Sequence, residues 1–170
     1  IRKTRRPGIV LTTNLPFIPT DQRNLVYKAA QMLMEEFDVE EGLSIKLRKF
    51  IPVAAGMAGG SSDAAAAFVG VNRMFHLGLT EEQLMERAVK VGADVPYCIM
   101  RGTALAEGIG EKLTRLPEVP KCYVLIGIWK GSENIRTSMD SSELSEIMIC
   151  MPWHTEWRMY LNRGSSDSIL

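Results

Sequence analysis

Twenty lysines and arginines cancel twenty aspartates and glutamates, so this 170-residue chain has no overall field to recruit nucleic acid or an anionic membrane. The one basic run, Arg2-Lys-Thr-Arg-Arg6, reads as a solvated strand end. Only three cysteines occur, Cys98, Cys122 and Cys150, widely spaced in apolar surroundings. That spacing suggests neither a disulfide framework nor a zinc knuckle, and reduced cytosolic thiols are the simple reading. No apolar run approaches the roughly 20 residues of a membrane span, and no secretory signal pattern opens the chain. Of its histidines, His76 follows a helical segment as a surface or capping residue, and His154 lies in a tail without clear periodicity. There is no internal repeat.

What is present is an ordinary globular composition, with 46% hydrophobic and 24% charged residues. Ile9–Thr13 is a β-branched run closed by Asn14 and Pro16, and reads as a strand. Leu25, Ala29, Met32 and Leu33 predict a helix over 24–37, and the alternation of Leu43, Ile45 and Leu47 predicts a half-buried strand over 43–48. The stripe Ala64, Phe68, Val71 and Phe75 predicts a buried helix over 61–75 that exits at Gly78. Thr80-Glu-Glu-Gln83 is a capping box for a further helix carrying Leu84, Ala88 and Val91 and ending at Gly92. Tyr97–Met100 and Thr103–Glu107 read as two short strands, Gly108–Gly110 as a tight turn, and 121–128 as another strand. Beyond about Gly127 only Ser138–Met148 could form a short helix. The order of elements gives an α+β or mixed α/β fold.

The chain is organised around Pro52-Val-Ala-Ala-Gly-Met-Ala-Gly-Gly-Ser-Ser-Asp63, small residues running straight into an alanine-rich helix. Gly60 is followed by Ser61 rather than lysine, which excludes the Walker A pattern. Glycines at 56, 59 and 60 do not fit the dinucleotide fingerprint, and the serine-elbow pattern is absent. What survives is a loop whose bare N–H groups and helix dipole can cradle a polyphosphate, with hydroxyls at Ser61 and Ser62 to touch it or help hold Mg²⁺. The alternative is a glycine turn that only lets a helix pack against a strand.

Four stretches in order make the reading more specific: Pro52–Ser62, Arg23-Asn-Leu-Val-Tyr-Lys-Ala-Ala30, Gly92-Ala-Asp-Val-Pro-Tyr97 and Gly102-Thr-Ala-Leu-Ala-Glu-Gly-Ile-Gly-Glu111. Together, over about Ile9 to Gly127, they resemble the GHMP small-molecule kinases, whose motif runs P-x-x-x-G-L/M-x-x-G/S-S-S. The resemblance is greatest to the branch acting on a cytidine diphosphate-linked methylerythritol in non-mevalonate isoprenoid synthesis. It implies a GHMP kinase N-terminal domain over 1–127, ATP and Mg²⁺ as cofactors, and phosphoryl transfer to the 2-hydroxyl of that small-molecule substrate. It places Pro52, Val53, Ala54, Ala55, Gly56, Met57, Ala58, Gly59, Gly60, Ser61 and Ser62 around the nucleotide phosphates. Asp94 becomes the catalytic aspartate, against the alternative of a turn carboxylate bonded to nearby N–H groups. No role follows for Glu107 or Glu111. Another alcohol substrate, or a non-catalytic nucleotide-binding fragment, stays open.

The chain departs from the family pattern at both ends. The A-K-I/V-N strand, whose lysine partners the aspartate, and a D-G-Y-H stretch do not precede Ile1, so truncated first strands and an exposed sheet edge are expected. Ile128-Trp-Lys-Gly-Ser132 stands where the family continues into a ferredoxin-like domain. A two-base frame shift over Met151–Arg163 permits a string with the family's N-V-L-E-P, which points to a frameshifted tail at 128–170.

Overall fold

The computed structural model describes residues 1–51, 53 and 56–120, with the backbone of three strands at 122–127, 147–152 and 158–161. It divides into two units, Ile1–Pro117 and Glu118–Leu170.

The first unit is built on a β-α-β crossover. Strand β2 (Ile9–Thr13) leads through helix α1 (Leu25–Glu36) into β3 (Gly42–Leu47), which lies parallel to β2 with Ile9 opposite Leu43 and Thr13 opposite Leu47. A short β1 (Arg2–Thr4) pairs antiparallel on the other side, so β3 is the central strand. The expected alternation holds: Leu43 and Ile45 are buried, while Lys46 between them and Leu47 is exposed.

Helix α1 starts at Asn24, whose Oδ1 accepts from Val26 N–H at 2.9 Å while its Nδ2 donates to the Pro19 carbonyl at 2.8 Å. Its buried Val26, Ala29, Ala30 and Leu33 pack on α2 (Gly59–Phe75), which contributes Ala64, Ala65, Phe68 and Val71. Alanines on both helices allow close approach, and Phe68 and Leu33, both fully buried, fill the space between layers.

Helix α2 stops at His76, whose φ of +54° caps it in the left-handed conformation; Gly78, with φ +75°, comes after the helix end. His76 is thus the exposed capping residue expected. Asn72 ties this exit to the next helix, donating to the Leu79 carbonyl at 2.9 Å and accepting from Leu79 N–H at 3.1 Å. The Thr80–Gln83 capping box is complete and opens α3 (Glu81–Ala88). That helix ends four residues before Gly92, whose N–H still reaches the Ala88 carbonyl at 3.1 Å.

The strand expected at Tyr97–Met100 is instead part of a helix, α4 (Val95–Met100). Pro96 sits in its first turn, where a missing N–H costs nothing, and Val95, Pro96, Ile99 and Met100 are buried on one helical face. An apolar run this short does not reveal its period in sequence. Thr103–Glu107 behaves as expected: β4 (Ala104–Glu107) pairs antiparallel with β5 (Lys112–Arg115) across the glycine turn. There the Glu111 carboxylate accepts from Ile109 N–H at 2.7 Å, and hydrogen bonds from its own and Ile109's backbone hold its pKa low.

The second unit contains an antiparallel sheet of β6 (Cys122–Gly127), β7 (Ile147–Pro152) and β8 (Arg158–Leu161), with β7 in the middle. Strand β6 falls where the apolar run predicts it. Most of the helix expected at Ser138–Met148 lies outside the described residues, and its last two, Ile147 and Met148, belong to β7.

Candidate active site: a glycine-turn cleft facing Asp94

The end of β3, the glycine turn and the start of α2 wall a cleft of about 460 Å³ in the first unit. Asn14 braces its floor, since its side chain both accepts from Lys49 N–H at 2.8 Å and donates to the Lys49 carbonyl at 3.1 Å. The chain then turns through Gly56 at φ +65° and Ala58 at φ +48°, a conformation that costs a non-glycine residue about 1–2 kcal/mol. This turn delivers the first residue of α2 against the floor. A Cβ on Gly59 would stand 2.9 Å from Ile51 Cγ2 and 3.2 Å from Lys49 Nζ, so any side chain there would have to displace a neighbour. At Gly60 the nearest atom, Leu25 Cδ1, is 3.6 Å away.

Helix α2 has no side-chain cap and no acidic residue in its first turn. Its first i to i−4 bond is Ser62 N–H to the Ala58 carbonyl, at 2.8 Å, which leaves the amides of Gly59, Gly60 and Ser61 without helical acceptors. An uncapped start with no acid in its first turn is suited to an anion.

Of the residues expected at the phosphates, Val53, Gly56, Met57, Ala58, Gly59 and Gly60 line the cleft. Ser61 and Ser62 sit in the first turn of α2, and the Ser62 hydroxyl donates to the Gly59 carbonyl at 3.0 Å, keeping its lone pairs free. Pro52, Ala54 and Ala55 lie outside the described residues. Asp94 lines the same cleft, 35 or more positions along the chain from the glycine turn. It stands immediately before α4, yet its exposed carboxylate makes no capping hydrogen bond to that helix. Its charge is felt by the half-buried Cys98, whose thiol is pushed up first by burial and then by Asp94. Cys98 is a free thiol, and this shift makes it a poor nucleophile.

Two charged residues that the motifs did not single out complete the wall: Lys49 and Asp63, whose Nζ and Oδ2 are 2.5 Å apart. A signal for Lys49 exists in the sequence, because it continues the inward phase of Leu43, Ile45 and Leu47. Asp63 lies one helical turn from Gly59 and so shares its face. At the rim Arg23 pairs with Asp21 at 2.7 Å, and the guanidinium holds that exposed carboxyl down to about 2. Among the described residues no group of three or more His, Cys, Asp or Glu could hold a metal by itself. A divalent cation here would share phosphate oxygens with one or two protein ligands, as Mg²⁺ commonly does.

The glycine turn, the uncapped start of α2 and the Asp94 carboxylate thus meet in one cleft, and residues 24–102 match the family described as GHMP kinases N terminal domain. That segment has the fold of a GHMP kinase N-terminal domain. More particularly, the chain is similar to curated 4-diphosphocytidyl-2-C-methyl-D-erythritol kinases. It is 54% identical over 131 residues to that of Lachnospira eligens, covering 77% of this chain and 45% of the relative. It is 47% identical over 161 residues to that of Listeria monocytogenes serotype 4b, covering 95% and 54%. A crystal structure of 4-(cytidine 5'-diphospho)-2C-methyl-D-erythritol kinase superimposes with a TM-score of 0.54 at 33% identity, over 66% of this chain and 40% of that one. Homoserine kinase from Cytophaga hutchinsonii, at TM-score 0.65 and 19% identity over 78% and 47%, shares the fold. The chain spans about half the length of the curated relatives it matches.

Proposed function

We propose that the chain carries the nucleotide half of a kinase that moves the γ-phosphoryl group of ATP to the 2-hydroxyl of a cytidine diphosphate-linked methylerythritol. The observation that carries this reading is the convergence, in one cleft, of the uncapped start of α2 and the Asp94 carboxylate. The relatives' identity supports the choice of substrate.

In this mechanism the amides of Gly59, Gly60 and Ser61 donate to the phosphate oxygens, and Pro52–Ser62 encloses the polyphosphate. Asp94 orients the attacking hydroxyl and takes its proton as the new O–P bond forms and the bond to ADP breaks. Little covalent help is needed, so positioned donors do most of the work. Mg²⁺, when bound, neutralises phosphate charge, with the hydroxyls of Ser61 and Ser62 and the carboxylate of Asp94 as the candidate protein contacts. The ATP-binding domain is assigned to residues 1–127 and the site of action to the cytoplasm, a location the free Cys98 supports.

The test is transfer of labelled phosphate from ATP to the substrate. Activity that falls at least about a hundredfold in Asp94→Asn supports the aspartate's role, and full activity in that variant rejects it. A second reading is a nucleotide-binding domain without turnover. Nucleotide binding with no transfer by the full 170-residue chain would select it.

A further inference from the structure

The Lys49–Asp63 pair is oddly placed for a staple. The Lys49 side chain is 7% exposed and lines the cleft, and its ammonium lies 3.2 Å from where a Cβ on Gly59 would stand. A cation there opposes the positive end of the α2 dipole, an arrangement that an anion in the cleft would reverse into a favourable one. The backbone of Lys49 is clamped by Asn14, so the side chain is rooted where it is. Asp63 is the only ion-pair partner of Lys49 among the described residues, and it too faces the cleft.

We infer that Lys49 is the cation of the phosphate seat and Asp63 its placeholder: the ammonium leaves the carboxylate for the polyphosphate of the bound nucleoside triphosphate. This rests on the phosphate-seat reading above and adds the residue that the glycine motif lacks. The exchange is purely electrostatic and no bond is made or broken. In the empty cleft Asp63 satisfies a nearly buried charge that would otherwise be costly. In the filled cleft Lys49 serves phosphate oxygens alongside the α2 amides.

The sign of one substitution separates this from a structural staple. Titration calorimetry of the full chain with inorganic tripolyphosphate is run on wild type, Lys49→Met, Asp63→Asn and the double variant. Lys49→Met is expected to bind about tenfold more weakly, the loss of one charge-assisted hydrogen bond. Asp63→Asn, which removes the competing carboxylate, is expected to bind a few-fold more tightly, and the double variant to match Lys49→Met. A pair that only braces the fold weakens binding in both single variants alike, and that result overturns the inference. Thermal melting of each variant, with and without tripolyphosphate, distinguishes lost binding from lost folding; Lys49→Arg restoring wild-type affinity supports the charge role. Weaker binding of cytidine diphosphate than of an ATP analogue by Lys49→Met, relative to wild type, overturns the assignment to the nucleoside triphosphate. Wild type that binds no tripolyphosphate removes the phosphate seat itself, whereas wild-type binding with Lys49→Met unchanged removes only the inference.

Discussion

At the scale of single residues, two adjacent glycines with the same appearance in sequence have different jobs. Gly59 is closed in by Ile51 and Lys49, while Gly60 faces open contact distance to Leu25. Gly59→Ala is expected to lower thermal stability and weaken nucleotide binding, because Ile51 or Lys49 must shift. Gly60→Ala is expected to leave stability within about 0.5 kcal/mol, since helix propensity gains what little packing loses. Parallel melting curves and nucleotide titrations check both. Asp94 was legible through its motif, but spacing alone could not bring it across the cleft from the glycine turn. That proximity is a product of the α2–α4 packing, and it became visible only with the fold. Lys49 was hidden for another reason: a charged residue just past a strand end reads as solvent-facing, although its phase follows Leu43, Ile45 and Leu47.

The elements that hold the site are set by local rules. The capping box at Thr80, the asparagine cap at Asn24 and the alternation in β3 all stand where pattern and chemistry agree. Tyr97–Met100 does not reveal its helix in sequence, because a six-residue helix is shorter than the window that separates the two periods. Helix α2 depends on Phe68, which is completely buried between layers. Phe68→Ala is expected to cost about 3–5 kcal/mol, enough to unfold a marginal domain, as chemical denaturation would show.

Helices α1 and α3 are linked by Glu36 and Arg87, whose guanidinium reaches the carboxylate at 2.5 Å. This hydrogen bonding holds the Glu36 carboxyl below its ordinary 4.5, with the charge of Arg87 adding to it. A depressed carboxyl stabilises the fold above 4.5 and loses that contribution as pH falls through the lower folded value. Because both groups are partly exposed, Glu36→Gln is expected to destabilise by less than about 1 kcal/mol at pH 7. The difference from wild type should shrink as pH falls below 4.5, read as converging midpoints of urea unfolding; a difference that stays constant as pH falls would show that the ion pair is not its cause.

For the whole molecule, the α+β order of the first unit was readable because every element from β2 to α3 announces itself by period, cap or breaker. The second unit was not. Its sheet order, with β7 between β6 and β8, rests on long-range pairing that no local pattern encodes. No helix among the described residues is long and apolar enough to cross a membrane, in line with the absence of such a run in sequence. The central claim is that the turn before α2 seats the phosphates of ATP. Its most direct measurement is calorimetric titration of the full chain with Mg²⁺ and a non-hydrolysable ATP analogue, beside Gly59→Arg, which fills the approach to Ile51 and Lys49. Wild type is expected to show saturable one-site binding, which is lost in a Gly59→Arg variant that still melts cooperatively. Equal binding by the two proteins, or none by wild type, would contradict it.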